Sequence, residues 1–380
     1  MKKVLFVCKY PIDEKYNLKQ KFNGQINSLI NMGYDVYYFA YDKNNFYIVN
    51  GANKTKLKSI SNANSSLYLH VFAFVDLYRF AKKTLSIDFD YMYIRNEPLE
   101  LFGYIMYKET SKYPKLKVIT EIPTYPAGLV SPPNKAVGVY LKFSSMVLKK
   151  ASKYINLFTL IGKQSDGYHF SRPAINIENG VYIDDFSLRS PKLQKNEVNI
   201  IAIASMSKWQ GYDRLIKGLA NYKGNIPVKL HMVGNEGDGS LKEWKDLAES
   251  LNLVNVKFYG PLYGNELDDI INKCDVGVAS LGMYRLNFNV ASVLKIREYM
   301  ARGIPFVYAI VDKALDDNLP FIFKVSNDNS DVDIEKVAEF ALKFKNDINT
   351  PNNMRLYAKQ NMSWEAQFKK IFDVVDNLEK

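Results

Sequence analysis

The sequence predicts an α/β chain of two doubly wound parallel sheets facing across a cleft, and three observations carry that prediction. Each half opens on an apolar, β-branched run, residues 3–7 and 199–205, and then alternates strand-like with helix-like segments. Between the halves, residues 179–198 are polar, carry a proline and show no periodicity, which marks an interdomain linker. At 380 residues the chain exceeds a single core and fits two domains of roughly 150–200 residues each. Their bounds fall at 1–187 and 188–362, with a closing segment, 363–380, docked at the junction. Ligands bind open sheets at the carboxyl ends of the strands, so joining two such sheets by one linker sets those ends across a cleft.

The elements follow in order. The first strand leads through a loop into a helix over 19–32, stopped by Gly33, and the strand 35–40 comes next. Further strands fall at 91–95, 117–121 and 158–161, and an amphipathic helix at 137–154. In the second half, strands at 228–233, 256–259 and 276–280 alternate with helices near 212–222, 241–251 and 265–273. Residues 363–378 place Trp364, Phe368, Ile371, Phe372, Val375 and Leu378 on one face of a terminal helix. Cys8 and Cys274 sit in separate strand-like runs and read as core residues.

Charge is divided unevenly. Residues 1–187 hold 25 Lys+Arg against 15 Asp+Glu, residues 188–380 hold 26 against 25, so +10 of the net +11 lies in the first half. Only three of the basic residues in that half are arginine, and no zinc-ligand cluster accompanies them, which argues against nucleic acid. A lysine-rich half fits an anionic membrane surface better, and the segment 137–154 is the place for it. There Val139, Phe143, Met146 and Val147 alternate with Lys142, Lys149, Lys150 and Lys153. No apolar run is long enough to span a bilayer and no secretory leader is visible, so the expected location is cytoplasmic, peripheral at the inner face of the plasma membrane.

The segment 292–305, SVLKIREYMARGIP, reads as a short helix that begins with an anion site. Ser292 is a good N-cap, Val293, Ile296 and Met300 form an inward stripe, and Gly303 stops the helix ahead of a strand just past Pro305. A helix N-terminus carries about half a positive charge and favours phosphate, and Lys295 in the first turn adds a full one. Glu298, one turn deeper, is placed to accept ribose hydroxyls. Lys295, Glu298 and Arg302 also fit a solvated ion-pair face.

With its neighbours, this segment resembles a known family. NIIAIASMSKWQGYDRLIKGL, KLHMVGNEGDG, VKFYGPLYGNEL, CDVGVASLGMYR, SVLKIREYMARGIPFVYA and SWEAQF run in the order found in glycosyltransferase family 4, retaining enzymes of the GT-B fold with two Rossmann-like domains. INIENGVYIDDF resembles the segment before that family's linker, and EIPTYP resembles one in bacterial polysaccharide-assembly members. The resemblance implies a nucleotide-sugar-dependent hexosyltransferase. Its donor is a UDP or GDP sugar, its acceptor a glycan or lipid-linked glycan of cell-surface polysaccharide assembly, and it needs no metal and no cofactor beyond that co-substrate.

Carried over by position, the resemblance makes Glu298 the ribose-binding carboxylate and Lys295 a partner of the diphosphate, with Lys208 and Arg285 adding charge. Ser292 and the amides of Val293 and Leu294 would hold the distal phosphate. Ser205, Gly211, Gly234, Tyr259, Pro261 and Asn289 complete the donor side. Asn17, Arg95, Glu121 and Tyr125 fall on the acceptor side, Arg95 and Glu121 because each ends a strand and points into the cleft. Three departures stand out. Val290 replaces a glutamate that meets the donor sugar, Ser205 and Gln210 replace a usual Arg and Lys, and the loop 10–18 lacks its glycines.

Other chemistries fit less well. A metal-dependent transferase needs an Asp-x-Asp pair at a strand end, but Asp88-Phe89-Asp90 precedes a strand and Asp331-Val332-Asp333 caps a helix. A nicotinamide enzyme needs its glycine fingerprint after the first strand, whereas MVGNEGDG follows the second strand of its half. His231 alternates within a strand and reads as structural, as His70 and His169 need not be catalytic either. The alternative to a transferase is a silent homologue acting as a binding or partner subunit, motivated by Val290, Ser205 and Gln210.

Overall fold

In a computed structural model, the described residues are 1–11, 19–42, 44–60, 72–95, 101–125, 135–162, 165–190 and 196–378. The chain divides into two compact units, Met1–Tyr182 with Trp364–Lys380, and Ile183–Ser363.

Among its described residues the first unit holds β1 (Lys3–Pro11), α1 (Lys19–Asn31), β2 (Asp35–Tyr41), β3 (Asn45–Asn50), β4 (Asn53–Ser59), α2 (Ala73–Thr84), β5 (Tyr91–Arg95), α3 (Leu101–Thr110), β6 (Lys117–Tyr125), α4 (Lys135–Ala151), β7 (Leu157–Gly162), β8 (Tyr168–His169) and β9 (Arg172–Ile177). They form one sheet in the order β4-β3-β2-β1-β5-β6-β7-β9-β8. The six central strands β2, β1, β5, β6, β7 and β9 pair in parallel, while β3, β4 and β8 join antiparallel at the two edges. In β1 residues Val4 to Cys8 are all buried, as a strand covered on both faces requires. The edge hairpin β3-β4 has no counterpart in the sequence reading. Its outer strand, NKTKLKS, is nearly all exposed, so it lacks an apolar period, and its lysines protect an open edge. The one available signal was Asn50-Gly51 at the turn.

The closing helix, Trp364–Asn377, belongs to this first unit. Trp364, Phe368, Ile371, Phe372 and Val375 share a core with Val4, Phe6, Phe22, Tyr91 and Tyr93. Two glycines make room for its indole. A Cβ on Gly24 would lie 3.1 Å from Trp364, and one on Gly180 only 2.5 Å away.

The second unit holds β10 (Val198–Ile203), α5 (Tyr212–Asn221), β11 (Val228–Val233), α6 (Ser240–Ser250), β12 (Val256–Gly260), α7 (Gly264–Ile271), β13 (Val276–Val278), α8 (Leu294–Arg302), β14 (Phe306–Tyr308), β15 (Ile322–Lys324), α9 (Ile334–Phe344) and α10 (Thr350–Tyr357). Its sheet, β12-β11-β10-β13-β14-β15, is parallel throughout. Strand order reverses between β10 and β13, so the loops after these two strands lie at the switch point, where such sheets take ligands. Asp333 is the N-cap of α9, accepting from the Lys336 amide at 3.2 Å, and Asp90 accepts from the Lys3 amide at 2.7 Å just before β5. Asp90 and Asp333 therefore both bind backbone amides at the starts of elements.

The start of α8 differs from the reading of Ser292 as its cap. The capping position is Val293, and no side chain of that residue caps the helix. A carboxylate from elsewhere does this work: Asp312 accepts from the Val293 amide at 3.2 Å and from the Ala314 amide at 3.1 Å. Asp312 is also paired with Arg297, whose Nη2 lies 2.8 Å from Oδ1, and both side chains are buried. The inward stripe accordingly contains Ile296, Arg297, Tyr299 and Met300, while Val293 stays half-exposed.

Two outcomes follow from these contacts. Arg297→Met should lower the unfolding free energy of the second unit by about 3–5 kcal/mol, because it strands a buried charge. Adding Asp312→Asn removes that charge while keeping an acceptor for the two amides, and urea titrations should show part of the loss recovered. Ending the chain after Ser363 should abolish the calorimetric transition of the first unit and preserve that of the second, since the deleted helix fills only the first core.

Candidate functional site

At the switch point the loop after β10 meets the loop after β13. The Leu281 amide donates to the Gln210 carbonyl at 2.8 Å, and Ser280 Oγ donates to Gln210 Oε1 at 2.9 Å. Gly211 makes this approach possible. Its φ is +68°, and a Cβ there would come within 2.5 Å of the Gly282 nitrogen.

Into this junction α8 extends Lys295. Its ammonium donates to Gln210 Oε1 and to the Tyr212 hydroxyl at 3.0 Å, and lies 5.3 Å from the Tyr212 ring centre and 5.9 Å from that of Trp209. Burial pushes this amine down to about 7, with the Glu298 carboxylate pulling the other way. Its hydrogen-bond partners, Gln210 and Tyr212, are neutral.

Glu298 lies one turn on. Its Oε1 accepts from Arg302 Nε at 2.8 Å, and Arg302, which is buried, also reaches Asp268 Oδ1 at 2.5 Å. The i,i+4 ion pair foreseen on this helix is therefore formed by Glu298 and Arg302, and Lys295 turns away from it to Gln210 and Tyr212.

Two cations assigned to the diphosphate are committed to other partners. Arg285 is clamped by Asp213 through bonds of 2.9 and 2.8 Å and donates to the Lys208 carbonyl at 2.7 Å. Hydrogen bonding to Asp213 raises its pKa further, and the pair ties the two switch-point loops together. Lys208 is exposed and sits 3.4 Å from Glu243 on α6. With its charge answered by Asp213, Arg285 adds little net positive charge to this end of the sheet.

The other donor-side positions are spread along the same sheet end. Ser205 is exposed just past β10, and its carbonyl accepts from Gln210 Nε2 at 3.4 Å. Gly234 has φ +143°, and a Cβ would lie 1.6 Å from the Ala204 carbonyl oxygen, so its bare backbone is required by the neighbouring strand end. The Tyr259 hydroxyl meets His231 Nδ1 at 2.8 Å, while His231 Nε2 meets Asn199 Oδ1 at 2.9 Å. Burial pushes that imidazole down to about 4, which keeps it neutral and structural. Pro261 and Asn289 are exposed, and Val290 bridges Val311 in parallel beside Asp312. Because Asp312 occupies the Val293 amide, the Leu294 amide is the first one offered by the helix end.

On the acceptor side, Asn17 lies outside the described residues. Glu121 is fully buried, which corrects the expectation that it points into an open cleft. It accepts from Lys21 at 3.1 Å, Gln25 at 2.8 Å and the Tyr93 hydroxyl at 2.6 Å. Burial raises its pKa, but Lys21, Arg95 and these hydrogen bonds bring the carboxyl below its usual value. Arg95 stacks 5.0 Å from the Phe22 ring centre with Nε 3.7 Å from Glu121. Tyr125 lies at the end of β6, edge-on to His169 at 5.4 Å.

Sequence reasoning missed Trp209, Tyr212, Asp213, Arg297 and Asp312, and saw Gln210 only as a lost charge. Arg297 and Asp312 carried no local signal, since a charged pair is invisible until both members are buried. Asp213 stands in the first turn of α5 and gives no hint of Arg285, 72 positions away.

Comparison with known proteins agrees with this architecture. Residues 184–361 match the family model described as glycosyl transferases group 1. No curated protein matches the chain. Among solved structures, a glycosyltransferase from Rickettsia africae is similar at 16% identity and a TM-score of 0.63, covering 99% of this chain and 98% of its own. Anabaena Alr3699/HepE in complex with UDP is similar at 15% and 0.62, covering both chains completely. WaaG, a glycosyltransferase involved in lipopolysaccharide biosynthesis, is similar at 13% and 0.57, covering 99% of this chain and all of its own. Residues 184–361 thus match a group 1 glycosyl transferase domain over nearly all of the second unit, and along its whole length the chain has the GT-B fold of these solved structures.

Proposed function

We propose that the protein transfers a sugar from a nucleoside diphosphate sugar to an acceptor hydroxyl with retention at the anomeric carbon, and that the acceptor is a glycan on a lipid carrier at an anionic membrane surface. The observation that carries the donor half is the half-buried Lys295 ammonium, held by neutral Gln210 and Tyr212 beside the start of α8. A diphosphate entering there meets a positive charge in a site poor in water, where the attraction is strong. As the bond from sugar to phosphate breaks, negative charge grows on the leaving oxygen. Lys295 and the Leu294 amide stabilise that charge more than they stabilise the intact donor, which is what accelerates transfer. Glu298 keeps Oε1 on Arg302 and has Oε2 for the ribose hydroxyls. In this reading protein groups supply the charge, with no metal ion.

The likeness to HepE, whose structures are described with UDP and with UDP-glucose, supports a uridine nucleotide as the donor class. The likeness to WaaG supports a lipid-borne glycan as acceptor. A second reading, donor binding without transfer, draws on the Asp213-bound Arg285 and on Gln210 and Val290, which take charge away from the donor side. Single-turnover release of labelled sugar in the presence of acceptor separates the two readings.

Calorimetric titration with UDP and GDP tests the donor site. Glu298→Ala should weaken binding of the preferred nucleotide by about 1.5–3 kcal/mol, the scale of a lost charged hydrogen bond, and an unchanged constant in a folded variant removes Glu298 from the site. Binding should also depend on pH. Free Lys295 titrates near 7, and a bound diphosphate favours its charged form and raises that value. Between the two values binding takes up one proton, so the Kd for a nucleotide sugar, whose diphosphate does not titrate there, should rise about tenfold per pH unit. Lys295→Met should flatten the slope; a flat wild-type profile contradicts the assignment.

A further inference from the structure

Just ahead of α8 the chain presents a small apolar wall. The Val311 amide donates to the Asn289 carbonyl at 3.1 Å and the Ala291 amide to the Val311 carbonyl at 3.1 Å, so Val290 and Val311 are bridged in parallel. Residues paired across a bridge turn their side chains to the same face, which sets the two valines side by side. Successive residues of an extended chain face opposite ways, and residues 311 and 312 follow that rule. Asp312 turns inward to Arg297 and the Val293 amide, whereas Val311 is 42% exposed and Val290 half-buried. Leu294, the first residue of α8, is also 42% exposed.

Carboxylates are missing from this wall. The sequence has no Asp or Glu between Asp275 and Glu298, and Asp312, next to Val311, is committed to Arg297 and to the amides of Val293 and Ala314. The amide oxygen of Asn289 accepts from Asn327 at 3.4 Å. A nucleoside diphosphate sugar has its parts in fixed order: ribose, diphosphate, sugar. With the ribose on Glu298 and the diphosphate on Lys295 and the Leu294 amide, the ligand runs along α8 toward its N-terminus. The sugar then comes to lie beyond Leu294, where residues 289–293 and Val311 stand.

We infer that the Val290–Val311 pair walls the sugar subsite and selects a 6-deoxyhexose, whose C6 is a methyl group where common hexoses carry a hydroxyl; the inference rests on the donor site proposed above. A hydroxyl pressed against two valines loses its water and gains no acceptor, whereas a methyl group buries apolar surface at no such cost. The exocyclic C6 projects from the ring, so its methyl group can meet two branched side chains at once. A carboxylate on this wall would accept from sugar hydroxyls and favour the oxygenated sugar. Val290 reverses that preference and leaves the leaving-group chemistry at Lys295 in place, so the residue chooses the sugar rather than silencing the site.

Calorimetric titration of the full chain with matched donors tests it: UDP-glucose against UDP-6-deoxyglucose, and GDP-mannose against GDP-6-deoxymannose, with UDP and GDP alone as references. Within the pair whose base is accepted, the 6-deoxy sugar should bind about tenfold tighter or more, the range that a single group decides in an apolar pocket. Val290→Glu should reverse the order. Val311→Thr, which keeps the branched shape and adds a hydroxyl, should narrow the gap. Each sugar is read against the bare nucleotide in the same variant, and an unchanged melting temperature shows that the variant folds. Equal affinity within a pair, tighter binding of the oxygenated sugar, or an order unmoved by Val290→Glu overturns the inference while the nucleotide site stands. Failure of both UDP and GDP to bind overturns the donor site, and the inference with it.

Discussion

One buried carboxylate, Asp312, holds the start of α8 in place at the carboxyl end of the second unit's sheet. Asp312 joins three pieces of chain that meet nowhere in sequence: the amide that begins α8, the guanidinium on that helix's inner face, and the turn after β14. A buried ion pair is a weak source of net stability, because desolvating both partners offsets most of their attraction. What it supplies is position, since neither member can move without stranding the other. The start of α8, and with it Lys295, is set by that pair. The cost of this arrangement is one backbone amide, Val293, which the helix no longer offers to an anion.

The two units treat buried charge in opposite ways. In the first, Glu121 is enclosed by Lys21, Gln25, Tyr93 and Arg95, so its negative charge is answered within the fold. In the second, the Lys295 ammonium is held by an amide oxygen and a phenol, neither of which carries charge. A charge answered by its own fold has little reason to recruit a ligand. A charge kept from water among neutral partners gains most when an anion arrives. This contrast separates the two sites more sharply than their similar placement at strand ends.

Much of the second unit was readable from sequence because parallel strands announce themselves as short apolar runs and the helices between them carry a clear period. Lys295 and Glu298 were found through their place near a helix start, and the structure puts them on consecutive parts of α8 facing different partners. What could not be read was anything that depends on two distant residues meeting. The Asp213 clamp on Arg285 and the Arg297 pair with Asp312 fall in that class, and so does the burial of Glu121, which as a strand-end carboxylate looked accessible. In the first unit β3 and β4 went unseen because an exposed lysine-rich edge strand carries no hydrophobic pattern. Gly234 was singled out for the approach of a donor, and the backbone it must clear in the structure is that of Ala204.

The assignment of the last helix to the first unit sets the order in which the protein can be assembled. The second unit is continuous in sequence, from Ile183 to Ser363, whereas the first is closed only by residues that follow it. On the ribosome, which releases the chain from its N-terminus, the sheet built from β1 to β9 emerges long before Trp364, and until then the pocket framed by Gly24 and Gly180 stands open. The domain made first is therefore finished last, and a prematurely ended chain exposes the apolar face around Phe6 and Phe22 to aggregation and proteolysis.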